Sequence, residues 1–494
     1  MSGFVRYSLQ SLYAIDTGLI QGLRLTQPLQ ISNPSGDSSR IMVIICMTTC
    51  FIIESNSRQS IVLIGLQMEN GGANAVFQPW LPDFISGAAA KISGGNTRVI
   101  FQDCIFRQNQ AIGTNAYGGA LAIERATVTL ERCTFYNNKA PALGGAIHAL
   151  ASRLTINNCV FEKNYVKDDT VSPGSLDQLV GGTGQGGALA LIVSLTSIVN
   201  TTFASNSAAL GGAISALNLI NQATSLTELT TLAVVAVRIS HSTFQRNKAV
   251  FRGGAVHLSE MAATAPEECS YANDTKFLHN EALNSHGGAI YLENSFMRTV
   301  NANFTGNTAG LATQHQSAAG GGGGGALFWR PTSLSDPTVR QRVPVAVNTV
   351  SADNSAKFGS HHASVPFTLR MVNSDATLRP QKSGQLLNPP LAVELADVYG
   401  QRVNTDQTTF VTIQPTGVFA GQTSVQVVDG VANFTNLALR LAPTTSTRAS
   451  FTTSIVLPAW NSSDTSAWNL TIESAICPPG ECLDFTNPLE CRLW

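Results

Sequence analysis

The chain has 494 residues, of which 44% are hydrophobic and only 12% are charged, about half of the ~25% charged share of an average soluble domain. Thirty Lys and Arg residues against 31 Asp and Glu residues leave a net charge of −1. This balance excludes the overall basic excess that is typical of proteins that bind nucleic acids or anionic membranes.

The first 39 residues predict no clear element, and we assign 1–39 to a poorly defined N-terminal segment. Residues 1–10 lack the continuous apolar stretch of a secretory signal peptide. The most apolar run, residues 41–53, contains Thr48 and Thr49 and is too short to cross a membrane. It predicts buried strands.

Two short motifs then alternate along the chain. The motif F-x-x-N occurs at Phe106/Asn109, Phe135/Asn138, Phe161/Asn164, Phe203/Asn206, Phe244/Asn247, Phe277/Asn280 and Phe304/Asn307. Each copy is followed by G-G-A, which begins at Gly118, Gly144, Gly186, Gly211, Gly253, Gly287 and Gly324. Successive F-x-x-N motifs lie 26 to 42 residues apart. This alternation predicts a stack of structural repeats with insertions on its outside.

Alternation with a period of two indicates that the repeated elements are strands. Leu154 and Ile156 alternate with polar residues, and Cys159 and Phe161 fall on one face. Such short strands without a helical segment between them predict parallel pairing, coil on coil, about 4.8 Å apart. We expect the Phe to stack inside, the Asn to bond along the stack from a left-handed turn, and both Gly to supply positive φ.

Three cysteines stand two residues before a motif phenylalanine: Cys104, Cys133 and Cys159. They predict an inward ladder on successive coils, preferably as free thiols, with disulfides as the alternative. Later coils carry small residues at this position, namely Thr201, Ser242, Thr275 and Ala302. No pair of Cys or His residues has the spacing of a zinc site, so we expect no metal or cofactor.

The alternation of F-x-x-N with G-G-A-[ILV] resembles the repeat of chlamydial polymorphic outer-membrane proteins and of related β-helix surface proteins of algae and protists. The resemblance covers about residues 61–369, with residues 64–72 similar to an opening coil and 353–360 to a closing coil. It implies a right-handed parallel β-helix, which we place at 40–372. Proteins with this repeat are mostly described as surface, adhesive or autotransported proteins.

A change of composition marks the C-terminal part. Residues 373–390 are rich in Ser, Gln and Pro and predict a linker. Strand patterns at 391–397, 411–413 and 449–457, with a type I′ hairpin signal at Asp429-Gly430, follow it. They resemble bacterial immunoglobulin-like modules. We therefore predict an all-β fold, in which a right-handed parallel β-helix is followed by a small immunoglobulin-like β-sandwich at 391–475.

The tail, residues 476–494, contains Cys477, Cys482 and Cys491 and resembles the start of a cysteine-rich extracellular module. Six sequons are candidates for N-glycosylation: Asn200, Asn273, Asn303, Asn433, Asn461 and Asn469. Both features favour secretion, although chance sequons are also expected in a chain rich in Asn, Ser and Thr.

Carbohydrate-active enzymes also use parallel β-helices, so the fold leaves catalysis open. Their chemistry needs paired carboxylates, or Asp with Arg or Lys and calcium, on neighbouring coils. The candidate pairs are Asp168/Asp169, Glu267/Glu268 and His361/His362, which we interpret as solvated loop or surface residues. Exposed aromatic residues would favour sugar binding, and the candidates are Trp80, Trp329 and Trp460.

We therefore predict a structural or adhesive protein without a catalytic site, outside the cell or on its surface, either free or attached through a part that this chain does not contain. The alternatives are a carbohydrate-binding β-helix and a polysaccharide lyase or hydrolase. The expected partners are cell-wall or matrix polysaccharides or other surface proteins, and not nucleic acids.

Overall fold

The structure is a computed structural model. It describes residues 5–6, 23–25, 29–32, 42–45, 50–54, 60–71, 86–113, 116–166, 184–218, 234–265, 267–310, 322–331, 339–372, 384–407, 409–414, 418–440, 446–453, 468–473, 481–484 and 487–493.

Four long parallel sheets form most of the described chain, and we number them in the order in which a coil visits them. Sheet 1 consists of Val5–Arg6, Leu29–Ser32, Ser60–Ile64, Arg98–Gln102, Thr127–Glu131, Arg153–Asn157, Leu195–Val199, Ala236–Ser240, Ser270–Asn273, Met297–Val300 and Val345–Val347. Sheet 2 consists of Met42–Ile45, Leu66–Glu69, Ile105–Arg107, Thr134–Tyr136, Val160–Glu162, Thr202–Ala204, Thr243–Gln245, Lys276–Leu278, Asn303–Thr305 and Val350–Ala352.

Sheets 3 and 4 complete each coil. Sheet 3 consists of Lys139–Ala140, Tyr165–Val166, Ser207–Leu210, Lys248–Arg252, Glu281–Ala282, Thr308–Ala309 and Ser355–Ala356. Sheet 4 consists of Leu23–Leu25, Phe51–Glu54, Ala90–Ser93, Leu121–Glu124, Ile147–Leu150, Leu189–Ile192, Ile214–Leu217, Val256–Ser259, Ile290–Glu293, Leu327–Arg330 and His362–Ser364. A 3₁₀ helix covers Val339–Arg342.

The repeat dictates this architecture. In sheet 1, buried and half-buried residues alternate, as in Thr127–Glu131, so one face of each strand enters the core. Each strand pairs in parallel with its equivalent one coil later; Phe135, for example, lies opposite Phe106 on one side and Phe161 on the other. The coils therefore stack as a parallel β-helix around one continuous apolar core.

The C-terminal part forms smaller antiparallel sheets. One contains Thr368–Met371, Leu391–Ala396 and Val431–Phe434, and another contains Ser424–Gln426, Phe410–Gln414, Ser446–Thr453 and Trp468–Glu473. Two-stranded sheets join Phe419–Gly421 with Leu437–Leu439 and Glu481–Asp484 with Asn487–Leu493. The last pair holds Cys482 and Cys491, whereas Cys477 lies outside the described residues.

The predicted turn at Asp429-Gly430 is present, with positive φ at both residues (50° and 76°) and mutual backbone hydrogen bonds between Val428 and Val431. Its two arms do not continue as one hairpin, because Ser424–Gln426 pairs with Phe410–Gln414 and Val431–Phe434 pairs with Leu391–Ala396. The turn therefore links two sheets.

Parallel pairing already includes Val5–Arg6, which precedes residue 40. At the other end, Thr368–Met371 pairs with the first strand of the C-terminal part. The boundaries 1–39, 40–372, 373–390, 391–475 and 476–494 remain predictions.

Candidate functional site

The motif phenylalanines lie in sheet 2 and are fully buried, as the pattern predicts. Successive rings stack nearly parallel, with centroids between 4.4 Å (Phe106 and Phe135) and 5.0 Å (Phe244 and Phe277) apart. Met68 occupies the equivalent position before the column and Ser351 the position after it. The most conspicuous side chains of the repeat therefore build the core and are not available to a ligand. The column consists of Phe106, Phe135, Phe161, Phe203, Phe244, Phe277 and Phe304.

The motif asparagines form a second ladder, and their side chains are fully buried too. Asn164 Oδ1 accepts hydrogen bonds from the backbone N–H and from Nδ2 of Asn138, at 3.0 and 2.9 Å. Asn164 Nδ2 in turn donates to Phe135 O and to Asn206 Oδ1. The same pattern continues to Asn354 in the last coil.

The expected left-handed backbone of the motif asparagines is wrong. The left-handed residue of each turn is the one before the asparagine, as in Lys163, with a φ of 56°, and Asn137, with a φ of 52°. The correction applies to all seven motif positions, none of which has a positive φ: Asn109, Asn138, Asn164, Asn206, Asn247, Asn280 and Asn307. The left-handed residues are instead Gln108, Asn137, Lys163, Ser205, Arg246, His279 and Gly306.

The physical reason lies in the hydrogen bonds of the ladder. Because the chain turns one residue earlier, the left-handed residue remains at the surface and the next side chain enters the stack. Asn109, for example, donates from Nδ2 to Met68 O and to Asn138 Oδ1, both at 3.0 Å. Asn280 makes the equivalent bonds to Phe244 O and Asn307 Oδ1. The asparagine is therefore selected for its buried amide and not for a tolerance of positive φ.

The expected role of the glycine pairs is correct only for the first member. Gly144 has a φ of 63°, whereas Gly145 does not have a positive φ. A Cβ at Gly145 would lie 2.1 Å from Gly187 O of the next coil. The second glycine is therefore required by close packing of successive coils and not by backbone conformation.

Cys104, Cys133 and Cys159 are buried free thiols in adjacent coils. The Cys133 N–H donates to Cys159 Sγ at 3.3 Å, and in the next coil Thr201 Oγ1 takes the same acceptor position. Burial, reinforced by hydrogen bonds with both neighbouring thiols, raises the pKa of Cys133 well above its usual value. The described residues contain no group of three or more His, Cys, Asp or Glu side chains that could hold a metal ion.

The sequon asparagines occupy different settings. Asn200 is exposed in a left-handed turn and donates to Asn158 Oδ1 at 2.6 Å, and Asn433 is exposed on a C-terminal strand. Asn273 and Asn303 are half-buried in sheets 1 and 2. Asn461 lies outside the described residues, and only the backbone of Asn469 is described. Their glycosylation remains a prediction.

Within the described part of the chain, the residues considered for catalysis or sugar binding do not come together. Glu267 and Glu268 are exposed, and His361 is exposed while its neighbour His362 is half-buried against Tyr399. Trp329 is only 1% exposed, because the first and third residues of its strand point inward, so it is not a sugar platform. Outside the described residues lie Asp168, Asp169, Trp80 and Trp460.

A polar cluster on the outer face of sheet 4 was missed by the sequence analysis. Glu293 lies 3.2 Å from Arg252 Nη1, 3.6 Å from Arg330 Nη1 and 3.9 Å from His257 Nε2. The Arg252 guanidinium also lies 5.1 Å from the centre of the Tyr291 ring. Aligning the residues that follow each G-G-A would have placed Glu293 beside Arg330, since they are the same position of consecutive repeats.

This cluster has little capacity for acid–base chemistry. Burial lowers the pKa of His257 to about 4, so the ring is neutral at neutral pH. Glu293 is the one carboxylate among these five side chains, and two guanidinium groups neutralise it. General acid–base hydrolysis needs a second carboxyl group at about 5–9.5 Å.

A different surface, which we call the basic edge, follows the turn between sheets 2 and 3 over five coils. Each coil contributes the last residue of sheet 2, the left-handed turn residue and the first residue of the next segment. These residues are Arg107, Gln108 and Gln110; Tyr136, Asn137 and Lys139; Glu162, Lys163 and Tyr165; Ala204, Ser205 and Ser207; and Gln245, Arg246 and Lys248. All fifteen are exposed or half-exposed, and they include five cations and one carboxylate.

The basic edge combines cations with half-exposed aromatic rings. Arg107 Cζ and Lys163 Nζ lie 5.9 and 5.3 Å from the centre of the Tyr136 ring, and Lys139 Nζ lies 5.4 Å from that of Tyr165. Lys163 also pairs with Glu162 at 3.3 Å. This arrangement of cations and partly exposed rings can bind a ligand.

Comparison with known proteins identifies the type of repeat. The family model for the Chlamydia polymorphic membrane protein (Chlamydia_PMP) repeat matches residues 132–150. This segment contains Phe135, Asn138 and the glycine pair at Gly144, so the repeat is of the polymorphic membrane protein type.

A solved structure, tailspike protein 3 of bacteriophage CBA120, is similar with 12% identity and a TM-score of 0.21, over 76% of this chain and 62% of the tailspike chain. This chain thus spans less than two thirds of that protein. No curated protein matches. Among the described residues, there is no helix with the length and apolarity to cross a membrane.

Proposed function

We propose that this protein is a non-catalytic structural or adhesive protein that acts outside the cell or on its surface. The observation that carries the proposal is that the repeated side chains point into the core. The phenylalanine, asparagine and cysteine ladders hold successive coils together inside the helix. The outer surface of the helix therefore presents rigid rows of side chains at the ~4.8 Å strand spacing. Such a surface suits many weak contacts along an extended partner.

The proposal includes a right-handed coil and an immunoglobulin-like C-terminal module. Connections between parallel strands of one sheet are right-handed in about 98% of cases. Two antiparallel sheets share one core around residues such as Val393 and Ile413, which supports a sandwich. The polymorphic membrane protein repeat supports a surface location, because that family is described as a membrane protein family.

Location is tested by antibody labelling of intact and permeabilised cells that produce the protein. We expect equal labelling in both. Labelling that requires permeabilisation would contradict the surface role.

Catalysis is tested by incubating the purified chain with pectin, alginate and chondroitin sulfate, with and without calcium. We expect no product above the protein-free blank. Turnover that is abolished by Glu293→Gln but kept by Glu267→Gln, an exposed acid outside the cluster, would establish the lyase or hydrolase alternative.

A further inference from the structure

The basic edge concentrates positive charge on a chain that has almost none overall. The whole chain has a net charge of −1, whereas the fifteen residues of the basic edge include five cations and one carboxylate. Lys248 is balanced by Glu281 of the following coil at 3.4 Å, and Lys163 by Glu162. Arg107, Lys139 and Arg246 have no carboxylate within 4.0 Å among the described residues, and Glu69 lies opposite Arg107 in the preceding coil.

The neighbouring corner, between sheets 1 and 2, provides a comparison within the same molecule. It has the same left-handed geometry, but Arg132 is held there by Asp103 at 2.7 Å. The exposed arginine of that corner therefore has a carboxylate partner one coil away. The unmatched cations of the basic edge do not follow from the repeat geometry, because the same geometry exists without them.

The other side chains of the basic edge indicate which class of partner it can bind. Between the cations stand amides and hydroxyls, such as Asn137 and Ser205, and the half-exposed rings of Tyr136 and Tyr165. Amides and hydroxyls bond to hydroxyl groups, and an amphipathic ring packs against apolar C–H surface. A polymer that offers acidic groups, hydroxyls and C–H faces together is an acidic polysaccharide.

The spacing indicates how such a polymer would lie. From Arg107 to Arg246 the edge extends over four coil steps of about 4.8 Å, or about 19 Å along the helix axis. Cations spaced by one or more coil steps match acidic groups that repeat along an extended polymer chain. A single small anion would use only one of them.

We propose that the basic edge binds a linear acidic polysaccharide, carrying carboxylate or sulfate groups, parallel to the axis of the β-helix. This inference rests on the proposed surface function and names its partner. Arg107, Lys139 and Arg246 contact the acidic groups, and Tyr136 and Tyr165 pack against the sugar rings.

The experiment measures binding of the full chain to alginate, polygalacturonate and chondroitin sulfate, with neutral dextran, polyglutamate and double-stranded DNA as comparison polymers. We expect binding to at least one acidic polysaccharide, none to dextran, and a loss of affinity as salt is raised. The triple variant Arg107→Ala, Lys139→Ala, Arg246→Ala should raise Kd at least about tenfold, since the three unpaired charge contacts are removed.

The matched control is Arg98→Ala with Arg153→Ala, which removes two exposed cations from sheet 1. It should leave Kd unchanged. Tyr136→Ala with Tyr165→Ala should weaken polysaccharide binding. Because none of these side chains is buried, each variant should remain folded, and its thermal unfolding checks this.

Equal losses in the triple variant and the control, or no binding to any acidic polysaccharide, would overturn the inference. Equal or tighter binding of polyglutamate or DNA would show that the edge recognises polyanions and not glycans. These outcomes leave the surface role intact if intact cells are labelled. Turnover of the polymers would instead contradict the non-catalytic function.

Discussion

Val160 and Phe161 are neighbours in one strand, yet Val160 is 37% exposed and Phe161 is fully buried between two other rings. Alternation in a strand explains the difference, since successive side chains point to opposite faces. Stacking in a dry column explains why the buried position is aromatic in seven consecutive coils.

Phe161→Ala should therefore lower the free energy of unfolding by about 3–5 kcal/mol, as for other buried aromatics, because neighbouring coils cannot close the cavity. Val160→Ala on the same strand should change it by no more than about 0.5 kcal/mol. Chemical denaturation of both variants measures the difference. Similar losses for the two variants would contradict the column as a source of stability.

The thiol ladder makes a prediction about reactivity. Cys133 is buried and its pKa is raised, so iodoacetamide should not modify it in the folded protein. After denaturation without reductant, mass spectrometry should find Cys104, Cys133 and Cys159 alkylated. Cys50, which forms a disulfide, is the control and should appear only after reduction. Recovery of the three thiols only with reductant would refute the ladder.

Single residues also mark the limit of sequence reasoning. F-x-x-N predicts which side chains enter the core, because the hydrophobic period is two and the spacing is fixed. It does not predict that the left-handed residue is Lys163 and not Asn164. That assignment depends on which side chain can reach Asn138 and Asn206 across coils.

At the scale of the elements, the asparagine ladder connects the turns that join sheet 2 to sheet 3 in successive coils. Asn164, for example, accepts two hydrogen bonds from Asn138 and donates two to Asn206. Such bonds transmit order from coil to coil, because each repeat contacts only its neighbours.

Asn164→Ala should expose the flanking coils to hydrogen exchange. It leaves the buried backbone N–H of Asn138 without its acceptor, at about 1–3 kcal/mol. It also removes the Nδ2 donor from Phe135 O and from Asn206 Oδ1. Exchange measured by mass spectrometry should rise in Thr134–Tyr136 and Thr202–Ala204 and much less in remote coils. Asn157→Ala, at a half-exposed position of sheet 1, is the control and should leave exchange unchanged. Uniform loss of protection in both variants would contradict the ladder.

The sequence predicts stacked strands because the repeat is regular, but it does not identify the cluster at Glu293. Arg252 and Glu293 are 41 residues apart, and they meet only because sheet 3 and sheet 4 place them on adjacent coils. The basic edge was missed for a similar reason: its cations occupy three different positions of the repeat, so none of them forms a motif.

For the molecule as a whole, the C-terminal module covers the open end of sheet 4. Asp397 Oδ2 accepts the Ser364 N–H at 3.1 Å, and Gln401 Nε2 donates to His362 O at 2.7 Å. These side chains replace the hydrogen bonds that a further coil would form. Val403 packs beside Phe328 and Phe358 in the same region. The module thereby protects an edge that could otherwise pair with another chain.

The cap should give stability a characteristic pH dependence. Burial raises the pKa of Asp397 above its ordinary value of 3.8, in spite of the hydrogen bonds from Gln401, Ser364 and Tyr399. The folded protein therefore holds this proton more tightly than the unfolded chain, and the contribution of Asp397 to stability falls as pH rises from about 3.8 through the folded pKa. Glu394 acts in the opposite sense. Burial raises its pKa, but the hydrogen bonds from Arg370 and Arg402 outweigh burial, so the folded pKa lies below the ordinary 4.5. Its contribution to stability is therefore lost as pH falls from about 4.5 through the folded pKa.

Asp397→Asn separates the two effects, because it removes one titration and leaves Glu394 unchanged. Thermal unfolding of parent and variant, compared between pH 3 and 7, should show the parent's advantage over the variant greatest at the acidic end and smaller as pH rises through the window above 3.8. The sign follows from burial, which disfavours the charged carboxylate at the end of sheet 4. If the advantage of the parent instead grows with pH, the hydrogen bonds from the last coil stabilise the ionised Asp397 more than burial opposes it, and the cap is held by a charged carboxylate.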